Sequence, residues 1–515
     1  QGDRILYVGA AEVAKKLCDD NTTVCDYGEN SVYPGFLEAH CHTGGAGYSM
    51  ACLAHLDRDG TYEDCIEVMK EFMKANPDNE LYSGMGFTPQ DYYPTASMLD
   101  EICPDRMMAL TDSGGHAMWL NTKAMEKFGI NKDAVETFGK DCVKVDEDGN
   151  PTGYITETAV FHARAQVPFT VDTLKKAVTS WEDLAVSLGY TGAYDAGLEI
   201  TSKKETEAYV ELEKEGKLRL YTFGGSYVED NTENPEAEID RIAKEAKEYN
   251  SKHFKIIGAK VFCDGTLEQH TSWMLDDYLD EPGYKGVSRF NDHDKMVRLV
   301  KSASDNDLNV HIHAIGDASS KAWTDAIAEA EEMTGNFDMR NAIAHLQVVH
   351  PDVIRRIGEY NIIAVCAMMW VEKTYENYGI VVQYFGEDIA NSKDPVKSFM
   401  DQGAVVVSHS DFPVSPALSV PQTVCFGNLR YLPSHGKELQ NKNAEECLGR
   451  LDTLKAITTN VAYSWHAEDE MGSLEVGKLA NITVFDKDFM KDSFEDIEKA
   501  NCLATFIDGK QVYKA

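Results

Sequence analysis

Short apolar runs that resemble β-strands alternate with helical patterns along most of this chain. The runs are rich in Val, Ile and Ala and most lack polar alternation, which is typical of strands covered on both faces. Eight such runs lie at residues 33–42, 190–196, 218–225, 258–264, 309–315, 341–347, 362–368 and 404–410. Helical patterns separate many of them, at residues 174–188, 295–304, 318–333 and 351–360. Repeating βα units in this number predict an α/β fold, either a closed (β/α)₈ barrel or a doubly wound sheet.

The spacing of the runs predicts a long insertion. The first two runs lie about 145 residues apart, whereas a βα crossover needs only roughly a dozen residues. We therefore predict an insertion at about residues 44–168, which would leave the first strand at the C-terminal face of a barrel. A chain of 515 residues has room for such an insertion beside a barrel of roughly 250 residues.

Both ends of the chain carry short strand patterns of their own. These patterns lie at residues 4–8, 481–485, 504–507 and 511–513. Asp508-Gly509 separates the last two, and Asp-Gly between apolar runs is a strong hairpin signal. We predict a small β-sandwich domain built from residues 1–33 and 466–515, beside a barrel domain at residues 34–465 that carries the insertion.

Charge and cysteine usage exclude some classes of function. The formal net charge of −37 opposes binding to nucleic acid or to anionic membranes. No apolar run reaches about 18 residues, so no membrane-spanning helix is expected. The 12 cysteines are scattered and form no C-x-x-C pair, which favours reduced thiols in a cytoplasmic protein over a disulfide scaffold.

The segment Glu38-Ala39-His40-Cys41-His42 is the strongest local signal for chemistry. Residues two apart on an extended strand point to the same side, so His40 and His42 can reach one point together. Neutral imidazole is a common zinc ligand. The pattern alone is equally compatible with two unrelated histidines at the end of a strand.

Four further polar side chains lie at or near the ends of other predicted strands. They are Lys260, His313, His345 and Asp411. Each has an ordinary structural explanation when taken singly, such as a hydrogen-bonded core histidine or a turn-forming aspartate. Five strands that each end in a ligand-type side chain are hard to obtain by chance. Because the C-terminal ends of barrel strands converge on one mouth, we expect these side chains to share a site.

At this point the sequence resembles the amidohydrolase superfamily, and within it amidohydrolase family 3, which includes N-substituted formamide deformylases. The resemblance extends over nearly the whole chain. It rests on the segments PGFLEAHCH, GAKVFCDGTLEQHT, HIHAIGD, AIAHLQ, VSHSDFPV and MGSLEVGKLANITVFD. One departure is Glu38, which stands where the family commonly has Asp.

The resemblance implies a centre of one or two divalent metal ions, usually zinc. His40, His42 and Asp411 match the ligands of a first ion, and His313 with His345 match the ligands of a second. We therefore expect all five side chains at one metal site.

Lys260 matches a lysine that can be carboxylated on its nitrogen and bridge two metal ions. Carboxylation converts a cation into an anionic oxygen ligand, which would explain a lysine inside an apolar strand.

The resemblance also suggests residues that contact the substrate. His116 and Trp119 in the insertion match a family segment that approaches the substrate. Glu268 follows the fourth strand and Trp370 follows the seventh. Each of these residues also admits a purely structural role.

The function implied is hydrolysis of an amide-type C–N bond, such as an N-formyl, N-acyl or cyclic amide, by a metal-activated water with Asp411 as the catalytic base. Two alternatives stay open. One keeps the metal centre but acts on an ester, a phosphoester or a deaminable ring, and the other is a metal-binding scaffold without turnover. The expected partner is a small-molecule amide, and the family suggests a homodimer.

Overall fold

A computed structural model describes residues 2–113, 116–164, 166–199, 202–230, 232–415, 418–441 and 443–515. By its internal contacts the chain divides into two compact units. Residues 47–180 form one unit, and residues 1–46 with 181–515 form the other.

The unit formed by residues 1–46 and 181–515, here called the barrel unit, is centred on a parallel eight-stranded sheet that curves into a nearly closed barrel. Its strands, β1 to β8 in chain order, are Phe36–Cys41, Tyr190–Leu198, Tyr221–Tyr227, Phe254–Phe262, Asn309–Ala314, Ala342–His345, Ile363–Cys366 and Val406–Ser408. Between β1 and the end of β8, the backbone N–H of Asp411 donates to His40 O at 3.0 Å, and that of His42 donates to Phe412 O at 2.9 Å. Each predicted run overlaps one strand of the barrel, so the predicted barrel is confirmed.

The helices of the barrel unit include all four that were predicted. The four are Val171–Ser187, which begins within the other unit, His293–Asp305, Asp317–Thr334 and Pro351–Glu359. The further helices are Ala11–Ala14, Thr43–Cys52, which ends within the other unit, Glu205–Lys214, Pro235–Tyr249, Ile380–Phe385, Glu387–Ser392, Val396–Asp401, Val420–Leu429, Arg450–Ala456, Thr459–Ser464 and Phe494–Ile497. Helical turns of other types lie at Lys15–Leu17, Met368–Trp370, Tyr375–Gly379, Lys437–Leu439 and Ala444–Glu446.

The first predicted strand is divided in two at Gly35. Ser31–Pro34 pairs antiparallel with Ile482–Phe485, and β1 begins only at Phe36. A Cβ atom at Gly35 would lie 2.1 Å from Thr191 Oγ1, so glycine allows the close approach at which the chain passes from one sheet into the other.

The termini contribute a four-stranded sheet. Its order is Ser31–Pro34, Ile482–Phe485, Cys502–Ile507 and Lys510–Lys514. The predicted hairpin is present, but the prediction of a strand at residues 4–8 is wrong, because Arg4 forms only an isolated bridge. Ile5 is buried whereas Leu6 and Val8 are exposed, so this segment has too few apolar contacts to continue the sheet.

Residues 47–180 fold around a six-stranded sheet. Its order is Leu53–His55, Leu81–Phe87, Met107–Asp112, Ala117–Leu120, Pro151–Thr156 and Val143–Val145. The helices that lie wholly within this unit are Tyr62–Ala75, Ala96–Asp100, Thr122–Phe128, Lys132–Phe138 and Thr158–Arg164. Tyr62, Trp119 and Tyr154 are buried in one of its apolar clusters. The unit therefore has a core of its own.

Among the described residues, no helix combines the length and the apolar character needed to cross a membrane. None of the cysteines that the structure describes is in a disulfide.

Asp508, at the tip of the C-terminal hairpin, ties the terminal sheet to the barrel. Its carboxylate accepts hydrogen bonds from Tyr221 Oη at 2.7 Å and His253 Nε2 at 3.0 Å, and it pairs with Lys252 Nζ at 2.7 Å. Burial opposes ionisation, but the hydrogen bond from His253 and the other two donors hold the pKa of Asp508 well below its ordinary value. Burial also opposes charge on His253, yet Asp508 and Glu213 raise the pKa of that imidazole.

The substitution Asp508→Asn is expected to lower the free energy of unfolding by about 1.5–3 kcal/mol near pH 6, a magnitude typical of hydrogen bonds to charged groups. A raised pKa of His253 stabilises the fold below the ordinary pKa of histidine, and this contribution is lost as the pH rises through the folded-state value. The deficit of the variant should therefore be smaller at pH 9. Urea unfolding at the two pH values measures it.

The matched control is Asp305→Asn, which removes an exposed carboxylate paired with Lys301 at 2.6 Å. It should change the unfolding free energy by less than about 0.5 kcal/mol. An equal deficit for Asp508→Asn at both pH values would show that the His253 charge does not depend on this contact.

Candidate metal centre

The residues predicted as metal ligands all lie at one end of the barrel. His40 is on β1 and His42 follows it, Lys260 is near the end of β4, His313 is on β5, His345 ends β6 and Asp411 follows β8. The strand register explains their convergence, because Phe262 of β4 is opposite His313 and Ala314 of β5 is opposite His345. Parallel neighbours in this register end at a common edge.

The tightest grouping consists of His40, His345 and Asp411. One ligand atom from each lies within 4.8 Å of the other two, and all three residues are buried. Asp411 Oδ1 is 3.2 Å from His40 Nε2 and 3.3 Å from His42 Nε2. Two imidazole nitrogens of β1 and the residue after it thus lie around one carboxylate oxygen from the other end of the barrel sheet, at distances that a small cation could bridge.

Lys260 and His313 are next to this group. Lys260 Nζ lies 3.5 Å from His40 Nε2, and the rings of His313 and His345 are 4.4 Å apart. His313 Nε2 also lies 3.3 Å from Gly265 O. The structure thus joins His345 to the group of His40 and Asp411, whereas the resemblance placed His345 with His313.

Two members of the group have left-handed backbone conformations. The φ angle is +79° at His345 and +56° at Asp411, values that non-glycine residues seldom adopt. Hydrogen bonds hold both positions, from Leu346 N to Ala314 O and from Asp411 N to His40 O, each at 3.0 Å. Strained backbone of this kind concentrates at functional sites, where it aims a side chain.

Two residues that orient the group were not singled out as site residues from the sequence. His311 Nε2 lies 2.8 Å from His40 Nδ1 and so determines which nitrogen of His40 faces the centre. Glu38 accepts hydrogen bonds from the backbone N–H of Ser410 at 3.0 Å and of His40 at 3.2 Å, which joins β1 to the segment that carries Asp411. The one available signal for His311 was its position two residues before His313 on the same strand.

Burial determines the charge of the ligand atoms. Burial lowers the pKa of His40 and of His345 well below the ordinary value of histidine. It also lowers the pKa of His313 to about 3 and the pKa of the neighbouring His409 to about 4. These imidazoles are therefore neutral at pH 7. A neutral imidazole has a free lone pair, which metal binding requires.

The two charged groups of the centre respond to their surroundings differently. Burial lowers the pKa of Lys260 to about 8, which increases the fraction of free amine at neutral pH. Burial opposes the charge on Asp411, but the hydrogen bond from His42 and the neighbouring histidines lower its pKa, so it stays ionised.

Buried nitrogen atoms without partners test whether a cation fits here. His345 Nδ1 and both ring nitrogens of His409 are buried and have no hydrogen-bond partner in the described part of the chain. The ring of His409 lies 4.8 Å from that of His40 and 5.0 Å from that of His345. Orphaned imidazole nitrogens beside an ionised carboxylate are the donor set that zinc prefers, so the residues present fit a divalent cation.

A cavity of about 790 Å³ opens over the centre, and His42, His313 and Asp411 contribute to its wall. Glu268 and Trp370, two of the predicted substrate contacts, also line it. The size is typical of a small-molecule site.

The side chain of Trp370 is fixed on two sides. Its ring stacks on His345 at 14° and 5.5 Å, and its Nε1 donates to Ser415 Oγ at 2.8 Å. Trp370 therefore lines the cavity and also restrains the orientation of His345, a candidate metal ligand.

The other two predicted substrate contacts belong to residues 47–180. His116 is exposed, and its Nδ1 lies 3.2 Å from Glu157 Oε2. Trp119 is fully buried in the core of that unit and donates from Nε1 to Thr95 O at 2.8 Å. This buried position indicates that Trp119 packs in the core, and it gives no support to a contact with substrate.

A family model matches almost the whole chain, and two curated proteins are similar to it. A sequence model described as "Amidohydrolase family" matches residues 23–513. The "Exoenzymes regulatory protein AepA" of Pectobacterium carotovorum subsp. carotovorum is 28% identical over 364 residues, which cover 69% of this chain and 77% of that protein. The "N-substituted formamide deformylase" of Arthrobacter pascens is 25% identical over 542 residues, which cover 100% of this chain and 94% of that protein.

A solved structure shares the fold. It is an uncharacterized metal-dependent hydrolase from Pyrococcus furiosus, with a TM-score of 0.76 and 23% identity, and the likeness covers 95% of both chains. At this level of identity the likeness is evidence for the fold alone.

The substitution His345→Asn should weaken Zn²⁺ binding by more than about 100-fold, because loss of an outer partner alone already costs roughly 10–100-fold. Competition with a chromophoric chelator measures the affinity, and circular dichroism checks the fold. The control His293→Asn removes an exposed histidine that pairs with Glu329 at 2.9 Å, and it should bind zinc as the wild type does. Equal affinity of wild type and His345→Asn would remove His345 from the centre.

Proposed function

The chain belongs to the amidohydrolase family, and from this premise we propose that it is a metal-dependent hydrolase of an amide-type C–N bond. The observation that carries the proposal is the buried grouping of His40, His345 and Asp411 beneath a cavity of small-molecule size. The similarity to an N-substituted formamide deformylase over the whole chain supports an N-formyl or N-acyl amide as the substrate class.

The proposed ligands are those that converge at the end of the barrel. His40, His42 and Asp411 would hold one divalent cation, and His313 with His345 would hold a second or complete the first. Zinc is the proposed ion, because neutral imidazole nitrogen and carboxylate oxygen are its common ligands. A bound cation would lower the pKa of a coordinated water toward about 7 and polarise the substrate carbonyl.

Asp411 is the proposed proton carrier. Its carboxylate is ionised, it is close to both His40 and His42, and it lines the cavity. It can accept a proton from the attacking water on a carboxylate oxygen and deliver that proton to the leaving nitrogen. Its fixed backbone holds the carboxylate in one orientation while the proton moves.

Lys260 is the proposed site of N-carboxylation. Its amine lies 3.5 Å from His40 Nε2, and its lowered pKa makes the nucleophilic free base accessible at neutral pH. The free amine adds to carbon dioxide, forms an N–C bond and releases one proton, which leaves a carbamate anion. Carboxylation would remove a buried positive charge that repels metal ions and would put in its place carbamate oxygen atoms that bind them.

The zinc-loaded protein should hydrolyse members of a panel of N-formyl, N-acyl and cyclic amides, and a chelator should abolish the activity reversibly. Matched esters, phosphoesters and aminated rings complete the panel. Turnover confined to esters, phosphoesters or ring deamination would contradict the amide proposal. Zinc binding without turnover of any compound would favour a scaffold.

The substitution Asp411→Asn should lower kcat by about 10²–10⁴-fold, the usual contribution of a general base. Metal content is measured in parallel, because Asp411 is also a proposed ligand. The control Asp401→Asn removes an exposed partner of Lys397 and should retain wild-type kcat. Wild-type turnover by metal-loaded Asp411→Asn would assign the base to another group.

Bicarbonate should strengthen metal binding by the wild-type protein at pH 8, because it supplies carbon dioxide to Lys260. The substitution Lys260→Met keeps an unbranched side chain that is one atom shorter and has no amine to form a carbamate, so it should abolish the bicarbonate effect. Metal titration with and without bicarbonate measures it. A bicarbonate effect of equal size in Lys260→Met would exclude carboxylation of Lys260 as its cause.

A further inference from the structure

We infer that Glu268 and Glu376 select substrates whose end remote from the amide is positively charged, and that they reject substrates with a carboxylate at that end. The inference rests on the proposed function and names the substrate class of the same site. It concerns the part of the substrate that lies away from the metal ligands.

The wall of the cavity is unbalanced in charge. Glu268, Glu372 and Glu376 line it together with Asp411, whereas no lysine or arginine among the described residues does. A site that binds a carboxylate-bearing ligand usually presents arginine or lysine to it, because charge-assisted hydrogen bonds offset the loss of hydration. A substrate such as an N-acyl amino acid would find no such partner on this wall.

The cations close to the cavity are engaged elsewhere. Arg289 approaches the ring of Phe262, which lines the cavity, but its guanidinium pairs with Asp230 at 2.5 Å. Lys260 is fully buried beside His40, at the metal centre. Lys393 is buried against Asp394 at 2.7 Å. Lys373 lies in the chain between two lining residues, and its Nζ is 4.6 Å from the centroid of the Tyr378 ring. Each of these cations is thus engaged by another group of the protein.

The three glutamates have different environments. Glu372 is buried, accepts a hydrogen bond from Leu432 N at 2.9 Å and lies 3.0 Å from His435 Nδ1, so its charge is used within the wall. Glu268 and Glu376 are exposed, and no cationic side chain of the described residues pairs with either. Both residues line the cavity and are open to solvent, so their charges are not neutralised by an ion pair within the described residues.

A bound metal ion would limit the effect of the acidic wall. A cation at the floor would attract anionic groups, so an acidic wall cannot control charge at the scissile amide. Glu268 and Glu376 are exposed residues of the segments that follow β4 and β7, and neither belongs to the buried ligand group, so we assign their effect to the part of the substrate outside that group. The formal net charge of −37 adds a general field that concentrates cationic ligands and repels anionic ones.

Three formamides of matched length test the inference on the zinc-loaded protein. They are N-(5-aminopentyl)formamide, N-pentylformamide and 5-formamidopentanoate, with a positive, a neutral and a negative end. The value of kcat/KM should fall in that order by about 3-fold or more at each step at low salt, a size typical of interactions between exposed charges. Equal values, or a preference for the anion, would overturn the inference.

The double substitution Glu268→Gln with Glu376→Gln isolates the cause. It should reduce the ratio of kcat/KM for the cationic over the anionic substrate by about 10-fold or more. The control Glu445→Gln with Glu495→Gln removes two exposed carboxylates that do not line the cavity, and it should leave the ratio unchanged. An equal loss of selectivity in both double variants would assign the preference to overall charge instead of these residues.

Calorimetry with methyl ketones, in which a methyl group replaces the formyl hydrogen and a methylene replaces the amide nitrogen, separates this inference from the proposed function. The ketones carry the same three ends and cannot be cleaved. Tighter binding of the cationic ketone, lost in the Glu268 and Glu376 variant, would support the selection even if no amide were hydrolysed. Turnover of the amides without any charge preference would reject the selection and leave the proposed function intact.

Discussion

The architecture depends on the burial of a polar cluster at one end of an apolar barrel. His40, His311, His313, His345 and His409 are buried with Lys260 and Asp411, where ionic groups are costly unless they are paired. Burial keeps the imidazoles neutral, and the histidines around Asp411 keep its carboxylate ionised. The result is a set of lone pairs around one anionic oxygen, which a divalent cation would satisfy.

Much of this arrangement could be predicted from the sequence. Apolar runs without polar alternation indicated the buried parallel strands, and the ligand-type residues lie near their ends because barrel strands end at one mouth. The divided first strand could not be predicted, because the need for Gly35 arises from the approach of Thr191, which is distant in sequence. The prediction of a strand at residues 4–8 was wrong because a local apolar pattern does not indicate whether a neighbouring strand is present to pair with it.

The finer geometry of the site also lay beyond the sequence. Nothing in the segment around His345 or Asp411 signals a left-handed backbone, since neither residue is glycine. His311 orients His40 only because β1 and β5 face each other across the barrel, a relation that appears after the strands are assembled. The motif resemblance placed Trp119 near the substrate, whereas the core of residues 47–180 surrounds it. Tertiary packing decided each of these features.

The hydrolase proposal depends on a divalent cation bound by His40, His345 and Asp411 at the mouth of the barrel. Anomalous diffraction at the zinc edge, from crystals grown with Zn²⁺, would locate such an ion. We expect a peak about 2.0–2.2 Å from the nitrogen atoms of His40 and His345 and from a carboxylate oxygen of Asp411. Crystals that bind zinc only elsewhere, with these side chains keeping to their own hydrogen bonds, would contradict it.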